Sequence, residues 1–469
     1  MKLIYGIKDR PKLGQVIVFA IQQLLAIMAA TLVVPVIINT SGSMPPFAPQ
    51  MSSAAALFGA GIGTLVYQLF TRFKSPVFLG SSFAFIGSMC SAFAGAISAQ
   101  AGYLGLIIGA VCAGLVYVVI ALIVKFAGVK WIAKLMPAVV IGPTVAIIGL
   151  SLAGNAIGDL QTAPAGGSVY VAILCGLVTL AVTMLCATFG KKMIRLIPFI
   201  MGILAGYAVA TVFTVIGNVA DIDALKVINF APLTNLFTDF SIKSIVSVPD
   251  FTFVEALKGI KDIDAAYVGT VAVAYAPVAF VVFAEHIADH KNLSTIIESD
   301  LLEEPGLHNT LLGDGVGSMA GSIFGGCPNT TYGESVGCVA ITGNASVITI
   351  TTTAIMAIVI SFLSPFVAFV NTIPSCVMGG VCMALYGFIA VSGLKMIQKV
   401  DLEKNRNLFV VSVILITGIG GLSVSFGKVT LTTIACALIL GILANVMLGV
   451  KDKKKDEEAP ASEDNTYEL

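Results

Sequence analysis

This chain has little charge. Of its 469 residues only 11% are Asp, Glu, Lys or Arg, 26 acidic against 26 basic, so the formal net charge is zero. That balance leaves no basic footprint for nucleic acid. The nine Cys are scattered, mostly inside apolar segments, with no CxxC pair and no Cys/His spacing of a metal site, so they read as small core residues. There is no phosphate-cradling GxxxxGK[ST] loop, which argues against a nucleotide-driven pump. No Ser/His/Asp arrangement can be assigned, which argues against a membrane enzyme. Nothing in the residues calls for a cofactor.

What is abundant is apolar surface. The chain is 57% hydrophobic with a mean hydropathy of +0.98, more than a soluble protein of this length could hide. We read it as an all-α polytopic membrane protein whose surface partner is lipid. Apolar runs of about 20 residues mark candidate spans. They fall at 14–38, 51–71, 77–97, 103–127, 130–155, 168–188, 197–218, 266–295, 308–326, 329–343, 345–370, 375–396, 406–425 and 430–450. Lys2, Lys8, Arg10 and Lys12 precede the first run with no small-residue cleavage site nearby, so we expect a first transmembrane helix there rather than a leader. The charged, aperiodic residues 451–469 read as a solvated tail.

Basic residues test the count, because cytoplasmic connections collect Lys and Arg. Alternate connections do so: Arg72 and Lys74; Lys125, Lys130 and Lys134; Lys191, Lys192 and Arg195; Lys395, Lys399, Lys404 and Arg406; Lys451 to Lys455. The opposite connections at 39–50, 98–102, 155–167 and 371–374 carry almost none. Fourteen crossings with both termini cytoplasmic fit. They divide into seven plus seven, residues 1–218 and 266–450, around an extracytoplasmic connection at 219–265, and an odd number per half inverts the second half.

Two runs are poor continuous helices and occupy matching positions, third and tenth. One carries Phe78-Leu79-Gly80-Ser81-Ser82; the other is CPNTTYGESVGCVAITG, from Cys327 to Gly343. Pro328 and the glycines break regular helix, while Asn329, Thr330 and Thr331 favour extended or capping geometry. Irregular backbone at membrane depth survives only where it is buried in protein or lines a cavity. Interrupted segments in corresponding places of two halves point to a transporter site, each followed by a half-helix whose N-terminal amides face the ligand.

Ionisable residues in the spans add to this. Glu334 sits in the second break, with no Lys or Arg in any nearby span to pair it. Glu285 and Asp289, in EHIADH at 285–290, are four apart and share a helix face. Two carboxylates in a low-dielectric setting suit a group that carries a proton. The competing reading is that the helix has left the membrane here and that Asp289 and His290 are solvated. His286 points elsewhere and reads as structural. Gln22 and Gln23, in the first run, face either the site or a neighbouring helix. Carboxylates opposed to backbone N–H groups, with Phe83 or Tyr332 to stack, match a small planar molecule of alternating N–H and C=O groups. The lack of a basic cluster fits a multiply charged anion poorly.

These residues resemble the nucleobase–cation symporter family, its nucleobase–ascorbate transporter group and, within that, the bacterial uracil permease branch. The matching pieces are LGSSFAFIG at 79–87, VVFAEHIADH at 281–290, EEPGLHNTLLGDG at 303–315, PNTTYGESVGCVAIT at 328–342 and VMGGV at 377–381. The resemblance implies two inverted seven-segment repeats. It also implies a core domain, about 14–127 and 266–370, and a gate domain, about 130–218 and 375–450, often dimeric through the gate. It implies that Glu285 and Glu334 bind the base's ring groups, that the Phe83 and Gly333 amides bond its carbonyls with Ser82 and Tyr332 beside them, and that Asp289 joins Glu285 in proton coupling. Function would be uracil:proton symport by alternating access in a bacterial cytoplasmic membrane. Glu at position 334 favours uracil over purines. A purine symporter and a channel of the same architecture are the competing readings. Ser335, Gly343, Gln22-Gln23 and Asp289 depart from the family pattern.

Overall fold

The computed structural model describes residues 3–45, 48–128, 137–191, 193–238, 241–426 and 429–456. Lys130, Lys134, Lys192, the start of the fifth expected span and the tail beyond residue 456 lie outside them. The fold is mostly helical. Eight helical stretches among the described residues, the bent stretch Ala138–Leu160 being one of them, are long and apolar enough to cross a membrane, and four shorter apolar helices accompany them.

In chain order the main helices of the first half are α1 (Leu13–Thr40), α2 (Ser53–Phe70), α3 (Ile86–Ala94), α4 (Ala99–Ala127), α5 (Ala138–Ser151), α6 (Ala153–Leu160), α7 (Val169–Phe189) and α8 (Pro198–Ala220). After the 219–265 connection come α9 (Ala265–Ile297), α10 (Leu307–Gly325), α11 (Gly333–Thr342), α12 (Val347–Ser361), α13 (Ser364–Thr372), α14 (Ser375–Ile397), α15 (Asn405–Ile419) and α16 (Thr433–Asp456). Two three-residue strands, β1 (Leu79–Ser81) and β2 (Asn329–Thr331), precede α3 and α11.

Two expected runs are broken. The 345–370 run divides into α12 and α13 at Phe362-Leu363, with Pro365 in the first turn of α13, where its missing N–H costs nothing. The 130–155 run, where described, becomes α5 and α6, joined at Leu152. The tail is helical as far as Asp456, continuing α16 rather than leaving the helix at 451.

The helices pack in two groups. In one, α10 lies against α2 and α4, α4 against α9, and α2 against α12 and α1. In the other, α14 lies against α5, α6 and α7, α7 against α8, and α15 against α5 and α16. With lipid as apolar as leucine, helices gain most from close backbone approach at small residues. The α2–α10 contact is built so: a methyl on Gly63 would sit 2.8 Å from the Gly317 carbonyl oxygen, and one on Gly321 2.7 Å from that of Gly59. The groove between these glycines takes the Asn329 side chain, whose Nδ2 donates to the Gly59 carbonyl at 3.0 Å. Close packing of two helices thereby fixes the start of β2.

The connection before α10 carries Glu298, Asp300, Glu303 and Glu304, and the last of these has a partner. Lys74, just after α2, pairs with Glu304 at 2.5 Å and holds its carboxyl below the usual range.

Candidate functional site

β1 and β2 come from opposite halves of the chain and pair antiparallel, Leu79 with Thr331, Gly80 with Thr330 and Ser81 with Asn329. The ladder extends by one bond at each end, Ser82 N to Pro328 O at 2.8 Å and Tyr332 N to Phe78 O at 3.3 Å. Two segments that cannot be helical satisfy each other's backbone in this way, as burial in apolar surroundings requires. Phe83 opens a 3-10 turn that leads into α3, and Gly333 opens α11. Amides at such first positions have no acceptor within their own helix.

Side chains brace the crossing. Gly80 leaves room for the Tyr332 ring, whose hydroxyl donates to the Ser81 carbonyl at 2.7 Å. Ser335 Oγ accepts from the Phe78 amide at 3.2 Å. Gln23 Nε2 of α1 bonds both Ser335 Oγ and, at 3.3 Å, the Ser335 carbonyl. Gln23 is thus an interhelical tie rather than a group in the cavity.

Against this crossing lies a cavity of about 460 Å3, within the range of ordinary small-molecule sites. Ser82, Phe83, Tyr332, Gly333 and Glu334 from the two breaks and Glu285 and Asp289 from α9 all border it. The opposite wall is apolar apart from Ser392: Ile141 and Val145 of α5, Phe199 of α8, and Leu385, Phe388 and Ile389 of α14. The cavity therefore lies between the two helix groups. Its polar wall belongs to one and its apolar wall to the other. Phe83 reaches across, its ring edge-on to Tyr386 at 6.2 Å.

Among the described residues no Lys or Arg lines this cavity. Among the described residues there is no group of three or more His, Cys, Asp or Glu arranged to hold a metal ion. Asp289 is held in place, since Thr331 Oγ1 donates to its Oδ2 at 2.8 Å. Glu334 occupies the first turn of α11, where the helix dipole favours negative charge. Such a wall offers carboxylate acceptors and amide donors to one face of a flat polar molecule and an apolar surface to the other.

α9 runs on to Ile297, and His290 is fully buried, so the reading of His290 as solvated at a helix end is corrected. Its Nε2 meets the Tyr67 hydroxyl at 2.6 Å, and its Nδ1 meets the His286 carbonyl at 2.8 Å. His286 turns away from the cavity to Asp314 Oδ2 at 2.7 Å and Thr310 Oγ1 at 2.9 Å, both on α10. Sequence reasoning missed Asp314, although a lone carboxylate in the 308–326 apolar run carries the same signal that marked Glu334. It also missed the apolar wall, which no motif distinguishes from lipid-facing helix.

Three comparisons bear on this architecture. The family model described as "Permease family" matches residues 14–426. The chain is 36% identical over 450 residues to the uracil permease of Bacillus caldolyticus, covering 95% of each protein. It is 34% identical over 457 residues to the uracil permease of Escherichia coli (strain K12), covering 97% of this chain and 96% of that one. Among solved structures it is similar to the transmembrane domain of a cyanobacterium bicarbonate transporter, BicA, with a TM-score of 0.59 at 16% identity, covering 94% of this chain and 99% of that one; this likeness shows the fold alone. With a family match across most of its length and full-length relatives that share more than a third of their residues with it, this chain is a member of the Permease family.

Proposed function

We infer that this protein carries uracil across a bacterial cytoplasmic membrane by proton symport, through alternating access. The observation that carries the reading is the meeting of β1 and β2 beside a cavity bordered by Glu285 and Glu334. A uracil ring presents two N–H donors and two C=O acceptors. Glu285 and Glu334 accept from the ring and the amides of Phe83 and Gly333 donate to its carbonyls, with Ser82 and Tyr332 shaping the same wall. The names of the full-length relatives, uracil permeases, support the choice of base. Glu334 supports it too, since the family resemblance implies that a carboxylate at this position favours uracil over purines.

Coupling follows from electrostatics. A carboxylate taken out of water without a cation to pair it costs several kcal/mol, whereas its neutral form bonded to a base does not. Glu285, with Asp289 beside it, takes up the proton that makes substrate capture favourable. The wider architecture is fourteen crossings in two inverted repeats, 1–218 and 266–450, with a core of about 14–127 and 266–370 moving against a gate of about 130–218 and 375–450. The correspondence of β1–α3 with β2–α11 supports it, as does the division of the helices into two packing groups with the cavity between them.

Calorimetry on the purified full chain tests the substrate. Uracil should bind and xanthine should neither bind nor displace it; xanthine binding more tightly than uracil would move the reading to a purine carrier.

A further inference from the structure

The residues that precede α1 are bonded to the far end of α11, the half-helix that carries Gly333 and Glu334. The Ile4 and Tyr5 amides both donate to the Gly343 carbonyl, at 2.7 and 3.2 Å. In return the Ala345 amide donates to the Tyr5 carbonyl at 2.9 Å, and the Val347 amide to that of Ile7 at 3.2 Å. Tyr5 and Asn344 thereby form a parallel bridge. Ser346 Oγ adds a bond to the Asp9 carbonyl at 2.7 Å. Gly343 permits this approach. Its φ of +67° is left-handed, and a methyl there would lie 3.3 Å from Ile4 Cγ1 and 3.4 Å from the Ile4 amide nitrogen.

Side chains fasten the same segment twice more. Leu3 and Ile7 pack on a buried cluster that includes Val336 and Val339 of α11 and Leu293 and Ile297 of α9. The Tyr5 hydroxyl donates to Gln15 Oε1 of α1 at 2.9 Å, and its ring stands edge-on to Phe19 at 6.1 Å. Within the segment, the Gly6 amide donates to Asp9 Oδ2 at 2.7 Å and closes a turn. α11 has ten residues, so it is a rod of about 15 Å with the cavity at one end and this segment at the other. Between the two ends the other helix group touches it: Ile197, just before α8, packs on Cys338 of α11 and Ala26 of α1.

We propose that residues 3–9 are a positioning strap for the substrate site: they pin the Gly343 end of α11 and thereby set where Gly333 and Glu334 stand in the cavity. This rests on the reading of those two residues as substrate groups. β2 fixes the near end of the rod and the strap fixes the far end, so α11 stays with its own helix group when the group that bears Ile197 moves past it. Substrate and strap are then linked. A base held by Gly333 and Glu334 steadies α11, and a steadied α11 favours the bonds at Gly343, Ala345 and Val347. The linkage is reciprocal: loss of the strap weakens the hold on the base by the factor that the base adds to the strap.

Amide hydrogen exchange on the full chain in detergent tests the link. Amides of a surface segment exchange by local opening rather than by global unfolding. Saturating uracil should slow exchange in residues 3–9 on the order of tenfold, together with that of 333–337. Gly421 and Leu422, just past α15 in the other helix group, should not slow. Protection of 333–337 with none at 3–9 would overturn the strap, as would a slowing shared equally by Gly421 and Leu422. Protection at neither place would instead sink the uracil reading of the site, and the proposal with it. A chain lacking residues 3–9 should bind uracil on the order of tenfold more weakly, with the half-saturating concentration for uptake raised by the same factor and the rate at saturating uracil retained. Unchanged uracil affinity in that chain would overturn the proposal. The exchange measurement on the intact protein stands if the shortened chain fails to fold.

Discussion

Glu334 and Asp289 border the same cavity, but their surroundings differ. Asp289 accepts a hydrogen bond from Thr331, while Glu334 sits in the first turn of α11, where a ligand's N–H is the natural partner. Glu334→Ala removes a charged acceptor worth about 1.5–3 kcal/mol. Uracil affinity measured by calorimetry should therefore fall by roughly ten- to a hundredfold. Thr331→Val keeps side-chain volume but takes the donor from Asp289; the pH profile of uptake should shift while uracil affinity measured at fixed pH stays close to wild type. These residues were legible because a carboxylate in an apolar run is expensive and stands out. The partners were not. Nothing in sequence says that His286 meets Asp314, 28 residues away on another helix, or that Gln23 spends its amide on Ser335 rather than on the cavity. Pairing across helices is decided by packing, and a single sequence does not record it.

At the scale of elements, the two breaks could be read from Pro328, the glycines and the Asn-Thr-Thr run, because such residues make poor helix. Their mutual pairing is less visible: three residues per strand hold no periodicity that sets a register. The register is set from outside, by Asn329 seated between Gly59 and Gly321 and by Tyr332 on Gly80. Two expectations follow. Asn329→Ala leaves the Gly59 groove empty and removes a buried hydrogen bond, costing about 1–3 kcal/mol. Gly63→Val drives a side chain into the Gly317 backbone, an overpacking penalty of about 1–3 kcal/mol. Thermal unfolding in detergent should show both as a lower Tm, and uracil binding should weaken with it. An unchanged Tm in Gly63→Val would mean that the α2–α10 approach is looser than the backbone spacing indicates. The breaks within 130–155 and 345–370 were hidden for a simpler reason. Each half stays apolar across the break, and hydropathy does not register a change of direction.

For the molecule as a whole, the cavity joins a polar wall from one helix group to an apolar wall from the other, an arrangement suited to sliding. Apolar contact surfaces separate without leaving charges unpaired, whereas the carboxylates stay on α9 and α11, with Asp289 tied to Thr331 of β2. Ser392 is the polar exception on the apolar wall. In a chain whose accessible native cysteines have been replaced by serine, Ser392→Cys should react with a membrane-impermeant thiol reagent from one side of the membrane. Saturating uracil should slow that reaction. Equal reactivity from both sides at once would point to a continuous pore.

The central claim is that uracil moves with protons through this cavity. Its most direct test is uptake of labelled uracil into proteoliposomes carrying the purified protein, with the interior alkaline, no sodium present, and a protonophore added or withheld. Uracil should accumulate above the external concentration, the protonophore should abolish that accumulation, and Glu285→Gln should not support it. Equilibration without accumulation by folded protein, or accumulation indifferent to the protonophore, would contradict it.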